Sequence, residues 1–239
     1  MRVVSWNCQG GFRNKIEFVT AYNPDILVIQ ESEDLEHNPQ SQLEGYPNIK
    51  WFGRDNNKNF KDKGVLVAAK SKYSFALHDE YQDNYRYIIP LKFSTQKLNL
   101  FAIWAKYDRK LPYIEQVNLA LKQYENLLRN DSIIIGDFNS NQRWNDKHGK
   151  LNHTNLVEYL GAMNMRSLYH ERTKENQGGE KKNTYAQYRS REIALHYHID
   201  YCFASKSLVS VCTRFEIDED KSWLTRSDHF PIIVEFNNE

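Results

Sequence analysis

The sequence predicts an α/β sandwich, two mostly antiparallel sheets packed face to face with helices outside, and three observations carry that prediction. Short β-type runs, each about one strand long, recur along the whole chain. Helical periodicity first falls between these runs and then thins, so later strands follow one another with little helix. Finally, 239 residues with 40% hydrophobic and 13% aromatic content suffice for a substantial core that folds without cross-links.

The β-type runs are Arg2–Asn7, Ile26–Gln30, Val65–Ala69, Tyr87–Phe93, Leu98–Trp104, Ser132–Gly136, His198–Ala204 and Phe230–Phe236. The clearest helix is Pro112–Arg129, where Ile114, Val117, Leu121, Tyr124 and Leu128 repeat at alternating three and four spacing and Pro112 suits the first turn. Arg13–Tyr22 is a second helix, stopped by Asn23-Pro24, and Asn155–Met163 a third, capped by Thr154. Asp55–Lys63 and Glu171–Arg191 are polar, charged and long, and read as loops. No repeat, low-complexity tract or linker divides the chain, so one catalytic-size domain over 1–239 is expected.

Cys8, Cys202 and Cys212 are odd in number and share no paired spacing, which argues against a disulfide framework or a four-thiolate zinc site and for a reducing cytoplasm. The opening Met1-Arg2-Val3-Val4-Ser5-Trp6-Asn7 lacks the apolar run of a signal peptide, and no stretch is apolar enough to span a bilayer. Lys plus Arg number 32 against 31 acidic residues, so nucleic-acid binding has to rest on a local basic face. Lys58, Lys61 and Lys63 in one loop, and Lys181, Lys182, Arg189 and Arg191 beside Tyr185 in the other, supply candidates. An ordinary solvated loop explains each set equally well. No protein partner is inferable.

Five segments place a polar side chain where a β-type run ends, a position in which the sheet fixes the backbone and the loop exposes the side chain. Trp6-Asn7-Cys8-Gln9-Gly10 offers amides that fix a water or a carboxylate without adding charge, although Asn and Gly are also ordinary turn residues. Ile26–Gln30 runs into Glu31, a carboxylate that needs either a hard divalent cation or a Lys or Arg partner. Gly136-Asp137-Phe138-Asn139 puts two polar groups at alternate positions, one suited to act on water and the other to donate to phosphate. An Asx turn explains one of them but not both. His198-Ile199-Asp200 and Ser227-Asp228-His229 complete the set. Adjacent strand residues point to opposite faces, so Asp200 is a better partner for His229 than Asp228 is.

Together and in this order, the segments resemble the endonuclease/exonuclease/phosphatase superfamily, its exonuclease III-like and deoxyribonuclease-like metal-dependent phosphodiesterases in particular. The resemblance spans the chain from Trp6-Asn7 to Ser227-Asp228-His229. It implies a four-layer sandwich and hydrolysis by in-line attack of water with no covalent intermediate. It also implies that Glu31 is the principal ligand of Mg²⁺ or Mn²⁺, helped by Asn7 and with Asp228 near the same ion. Asp137 then activates water, Asn139 holds the phosphate, and His229 paired to Asp200 stabilises charge on the pentacovalent phosphorus. Two departures stand out. Gln9 occupies a place where many family nucleases carry Asp or Asn, and Trp104 falls where deoxyribonuclease-type members carry His or Tyr. An indole donates a hydrogen bond but cannot shuttle a proton, leaving Lys106, Tyr107 and His170 as substitutes for the leaving-group residue.

Nucleic acid is the expected substrate. Arg143 and Trp144 follow the Asp137–Asn141 motif, where they can grip phosphate and stack on a base, and Tyr197 can wall a pocket. Trp104, at the end of Leu98–Trp104, is expected to line the cleft, with Tyr107 nearby. The alternatives are a phosphatase or phosphodiesterase of a small phosphorylated molecule or lipid headgroup, and a non-catalytic binding module with the same fold. A module kept only for binding has no use for the whole acidic and histidine set, whereas a small-molecule enzyme differs by having a closed pocket rather than an extended groove.

Overall fold

The computed structural model describes residues 1–37, 43–53, 62–107, 111–189 and 192–237, with the side chains of 188, 189 and 192–194 also left aside. Lys58, Lys61 and Arg191 of the two basic loops, and the side chain of Arg189, lie outside the described set. Along the chain the strands are β1 (Arg2–Asn7), β2 (Ile26–Ser32), β3 (Asn48–Phe52), β4 (Gly64–Ala69), β5 (Ala76–Leu77), β6 (Ile88–Phe93) and β7 (Leu98–Trp104). They continue with β8 (Ser132–Asp137), β9 (Met165–Ser167), β10 (Tyr185–Arg189), β11 (Glu192–Tyr197), β12 (Asp200–Ser205), β13 (Cys212–Ile217) and β14 (Ile232–Phe236). The helices are α1 (Ile16–Thr20), α2 (Ile114–Gln123), α3 (Glu125–Leu128), α4 (His153–Ala162), α5 (Leu168–Thr173) and α6 (Lys206–Val211).

Among the described residues the strands form two six-stranded sheets, ordered β13-β14-β1-β2-β4-β3 and β5-β6-β7-β8-β12-β9, and a separate β10-β11 hairpin. Each large sheet is antiparallel except for one central parallel pair, β1 with β2 and β7 with β8. Those pairs end together, Asn7 beside Gln30 in one sheet and Trp104 beside Asp137 in the other. Parallel neighbours finish at the same edge, so both sheets deliver side chains to one rim.

Period-two alternation sorts β7 between two layers. Leu98, Leu100, Ala102 and Trp104 join the core between the sheets, while Phe101 and Ile103 face α2 and α4 with Ile114, Val117, Leu121, Leu156 and Leu160. On the other sheet Trp6 points outward to Trp223, with Phe18 of α1 also against that ring. The result is the expected helix-sheet-sheet-helix sandwich. Among the described residues no helix is long and apolar enough to cross a membrane.

Several local expectations change. The long helix over Pro112–Arg129 breaks at Tyr124 (φ −92°, ψ 19°) into α2 and α3, and Pro112 lies before Tyr113, the residue that caps α2 with φ 38°. Arg13–Tyr22 contains only the short α1 after a 3-10 turn over Phe12–Asn14. Asn152, not Thr154, caps α4, its Oδ1 accepting from Asn155 N at 2.9 Å. The stretch Glu171–Arg191 is no simple loop, since it carries the end of α5 and β10. The strand written as His198–Ala204 begins at Asp200, and that written as Phe230–Phe236 begins at Ile232.

Candidate active site

Asp137 ends β8 completely buried, and three donors fix its carboxyl group. Asn7 Nδ2 (2.9 Å) and Asn139 Nδ2 (2.9 Å) meet Oδ2, while Asn139 N (2.8 Å) meets Oδ1. Asn139 adopts φ 46°, tolerable for Asn, and folds back over the strand end. Its amide nitrogen also donates to Ala105 O at 2.8 Å. Both amide hydrogens of Asn139 are therefore used within the protein, on Asp137 Oδ2 and Ala105 O. Gly136 makes the approach possible: at φ +142°, a Cβ there would lie 2.0 Å from Ile103 O and 2.9 Å from Gln30 Nε2 of the opposite sheet. Glycine here serves close packing inside a strand.

Asp200 starts β12 rather than ending a strand, and pairs in register with Asp137. Thr184 Oγ1 accepts from the backbone N–H of Ile199 and Asp200, each at 2.9 Å, which holds the strand entry. His229 Nδ1 lies 2.9 Å from Asp200 Oδ2 with both side chains buried. The pairing expected from the sequence is present, but its premise is not. Asp228 and His229 precede β14 instead of lying in a strand, and Asp228 Oδ1 stands 4.0 Å from His229 Nε2. Burial by itself lowers the affinity of His229 for its proton, but the carboxylates of Asp200 and Asp137 outweigh it and hold the imidazolium well above the usual 6.5. Burial raises the Asp137 carboxyl, with help from Asp200 and against His229 and the amide donors.

Glu31 does not end its strand either. It sits inside β2 at a bulge, between the register pairs Gln30–Val65 and Ser32–Gly64, with φ 57°. A left-handed Glu is strained, and bulges of this kind re-aim one side chain. Asn7 Nδ2 reaches Oε1 at 3.2 Å and Lys63 Nζ reaches Oε2 at 2.5 Å. The plain salt-bridge alternative is therefore realised, by Lys63. Nearby Asp228 has its carboxyl raised, first by burial and further by Glu31 and Asp200, with His229 opposing. Two mutually repelling carboxyls with hard oxygen donors, one already answered by an ammonium, fit a Mg²⁺- or Mn²⁺-type cation. Asn7 shows its nitrogen, not its oxygen, to Glu31, and its Oδ1 accepts from Gln9 N at 3.1 Å. In this arrangement it orients Glu31. Ligand atoms of Asp137, Asp200 and His229 also lie within 4.8 Å of one another. There the His229 proton and the amide donors already supply the positive partners.

Contacts that motif reading does not reveal tie the end of β1 and the segment after it to the segment before β14. Ser227 Oγ donates to Asn7 O at 2.6 Å and accepts from His229 N at 3.1 Å, and Trp6 Nε1 donates to His229 O at 2.9 Å. Lys15 Nζ donates to Cys8 O (2.6 Å), Gly10 O (2.7 Å) and Arg226 O (2.6 Å), tying the segment after β1 to the one that carries Asp228. A lone lysine at a helix start gives no sequence signal for this.

The aromatic expectations divide. Trp144 and Tyr197 meet at 4.9 Å, Tyr197 stacks on Tyr185 at 6.1 Å, and Tyr185 packs edge-on to His229 at 5.1 Å, so these rings form a row leading to the imidazole. Arg143 stands exposed beside the row, its Nε donating to Gly178 O at 3.0 Å. Trp104 is 5% exposed and belongs to the core, edge-on to Tyr87 at 4.9 Å with Lys106 Nζ 4.2 Å from its ring centre. The expectation that it lines the cleft is corrected, because its large ring closes the space between the sheets. Tyr107 is 61% exposed. His170 is turned away, its Nε2 3.2 Å from Glu180 and its Nδ1 2.8 Å from Ser167. Lys181 and Lys182 pair with Glu175 and Glu219, each at 3.7 Å, as solvated loop residues do.

The sequence profile of the Endonuclease/Exonuclease/phosphatase family matches residues 4–229. No curated protein sequence matches. Among solved structures, a 3′ phosphatase, NExo, from Neisseria bound to product DNA hairpin is 21% identical with a TM-score of 0.72, covering 100% of both chains. A 3′-5′ exonuclease (NExo) from Neisseria meningitidis is 21% identical with a TM-score of 0.71, again over 100% of both chains. An AP endonuclease from Archaeoglobus fulgidus is 18% identical with a TM-score of 0.68 and the same coverage. At these identities the likeness shows the fold.

Proposed function

Because this chain belongs to the Endonuclease/Exonuclease/phosphatase family and so hydrolyses phosphate esters, we propose that it is a divalent-metal-dependent phosphodiesterase acting on nucleic acid. The observation that carries the reading is the buried unit Asn7–Asp137–Asn139 joined to Asp200–His229, set against the Glu31 and Asp228 carboxyls at one rim of both sheets.

Asp137, raised by burial, is the stronger base for it and takes a proton from the attacking water. Asn7 and Asn139 keep the carboxylate aimed while it does so. His229 keeps its proton because Asp200 holds it, and directs Nε2–H at the phosphoryl oxygen as negative charge grows there. Glu31 and Asp228 would hold Mg²⁺ or Mn²⁺ through their anionic oxygens, and the bound cation would offset charge on the phosphate. No covalent enzyme intermediate is required.

Nucleic acid is favoured by the Trp144–Tyr197–Tyr185 row, since successive rings beside a phosphate site suit stacked bases or sugars. The Neisseria structure bound to product DNA hairpin supports the same reading. A cytoplasmic setting goes with it, because Cys8, Cys202 and Cys212 are free thiols. The test is cleavage of plasmid, single-stranded DNA, RNA and small phosphate esters with and without Mg²⁺. Nucleic acid is expected to be cut only with the cation present. Full activity in excess chelator overturns the metal, and cleavage restricted to small esters overturns the substrate.

A further inference from the structure

We propose that Lys63 is an internal counter-ion of Glu31 that a divalent cation displaces, and that the released ammonium then grips the substrate phosphate. This rests on reading Glu31 as a metal ligand. Lys63 directly precedes β4, and the Ser32–Gly64 pairing carries it to the bulge at Glu31. Its Nζ stands 2.5 Å from Glu31 Oε2, where a cation about 2.1 Å from the same oxygen would sit. Oε1 is engaged by Asn7 at 3.2 Å, so Oε2 is the oxygen over which the two cations compete.

The pair is built to exchange. Side-chain exposures of 41% for Lys63 and 22% for Glu31 leave it open to water, and exposed ion pairs are weak. Glu33, two positions on, behaves in the opposite way: buried, it takes Phe12 N at 2.7 Å, Arg13 N at 3.0 Å and the Arg13 guanidinium at 3.0 Å. Lys15 is likewise fixed by three carbonyls and does not compete. Gly10 keeps a lane for the lysine stem, because a Cβ there would lie 3.1 Å from Lys63 Cε, at a φ of +84° that side chains rarely adopt. Lysine suits the task, being a compact point charge on a flexible stem that moves from carboxylate to phosphate without losing its charge.

The experiment titrates Mn²⁺ into substrate-free wild type and Lys63→Met by paramagnetic resonance, then measures KM for a short oligonucleotide at saturating Mn²⁺. Removing the competitor is expected to tighten Mn²⁺ binding about fivefold. KM is expected to rise about tenfold, and the slope of log affinity against log salt to shrink by about one phosphate contact. Thermal melting checks that the variant is folded, and Lys63→Gln repeats both measurements with a second uncharged stem. Wild type that binds no Mn²⁺ overturns the reading of Glu31 and this proposal with it. Wild-type binding that is unchanged or weakened in both variants overturns the displacement while leaving Glu31 as ligand. Tighter Mn²⁺ with unaltered KM and salt slope overturns the phosphate grip.

Discussion

Asp200 and Asp137 sit opposite each other across β12 and β8, two buried side chains with oxygens that lie with a His229 nitrogen within 4.8 Å of one another. The His229 proton supplies the positive charge that faces them both. Asp200→Asn withdraws the main support for that proton. The imidazolium persists below its pKa, so lowering the pKa moves the alkaline limb of the kcat profile to lower pH. Turnover at neutral pH is expected to fall by about 100-fold or more. A limb that stays in place assigns the proton to another group.

Glu31→Gln keeps the shape of the side chain and removes its charge. Mn²⁺ affinity is expected to fall about tenfold or more, while melting temperature barely moves, because the ion pair lost to Lys63 is exposed and contributes at most about 1 kcal/mol. Calorimetric Mn²⁺ titration beside a thermal melt separates the two effects. Unchanged affinity moves the metal elsewhere.

Trp104→His leaves a gap beside Tyr87 and an imidazole in the core between the sheets. A loss of about 2–4 kcal/mol is expected from chemical denaturation, with no gain in cleavage. A stable variant with raised turnover returns Trp104 to the cleft.

Acid should unfold the protein in two stages. Burial lowers His153 from 6.5 to about 4, so the unfolded chain takes up that proton first and stability falls as pH drops from 6.5 toward 4. The contribution is on the order of 3 kcal/mol. Glu180 is buried too, but donors from His170, Gly178 N and Asn141 outweigh burial and hold it at about 2, so its contribution is lost between 4.5 and 2. Denaturant midpoints at pH 7, 5.5, 4 and 2.5 check both stages, and His153→Gln should flatten the first. An equal slope in the variant assigns the loss to other groups.

Much of this was legible in the sequence. Central strands announce themselves, because being buried on both faces they read as unbroken apolar runs, as in Ile133-Ile134-Ile135 and Ile26–Ile29. The edge strands β3, β5, β9 and β13 and the hairpin β10-β11 escaped, since polar residues such as Lys50, Arg166, Gln187 and Arg214 interrupt them and only pairing makes them strands. The residue types of the site were legible for the same reason that they are costly: Glu31, Asp137 and Asp200 stand where strands otherwise bury hydrocarbon.

Orientation was not legible. Nothing in Gln30-Glu31-Ser32 signals a left-handed bulge, which depends on the β2–β4 register. Alternation puts Trp104 on one face with Leu98, Leu100 and Ala102, but whether that face at that level is cleft or core depends on Tyr87 and Lys106, which reach it from β7's neighbours in space and in sequence. Asn139 was identified as functional by type, while its two spent hydrogens became visible only with Ala105 O beside it.

The stitching of the first strand to the last also constrains when the enzyme comes into being. Ser227 and Asn7 are bonded across 220 positions and Trp6 and His229 across 223. Contacts so distant along the chain form late in folding and late in synthesis. The second sheet, with Asp137 and Asp200, has no such dependence on the C-terminal segment, yet it lacks His229 and Asp228 until β14 lies beside β1. If the site is the one proposed, a chain stalled on the ribosome before Asp228 is expected to be inert toward phosphate esters however much of its core has formed.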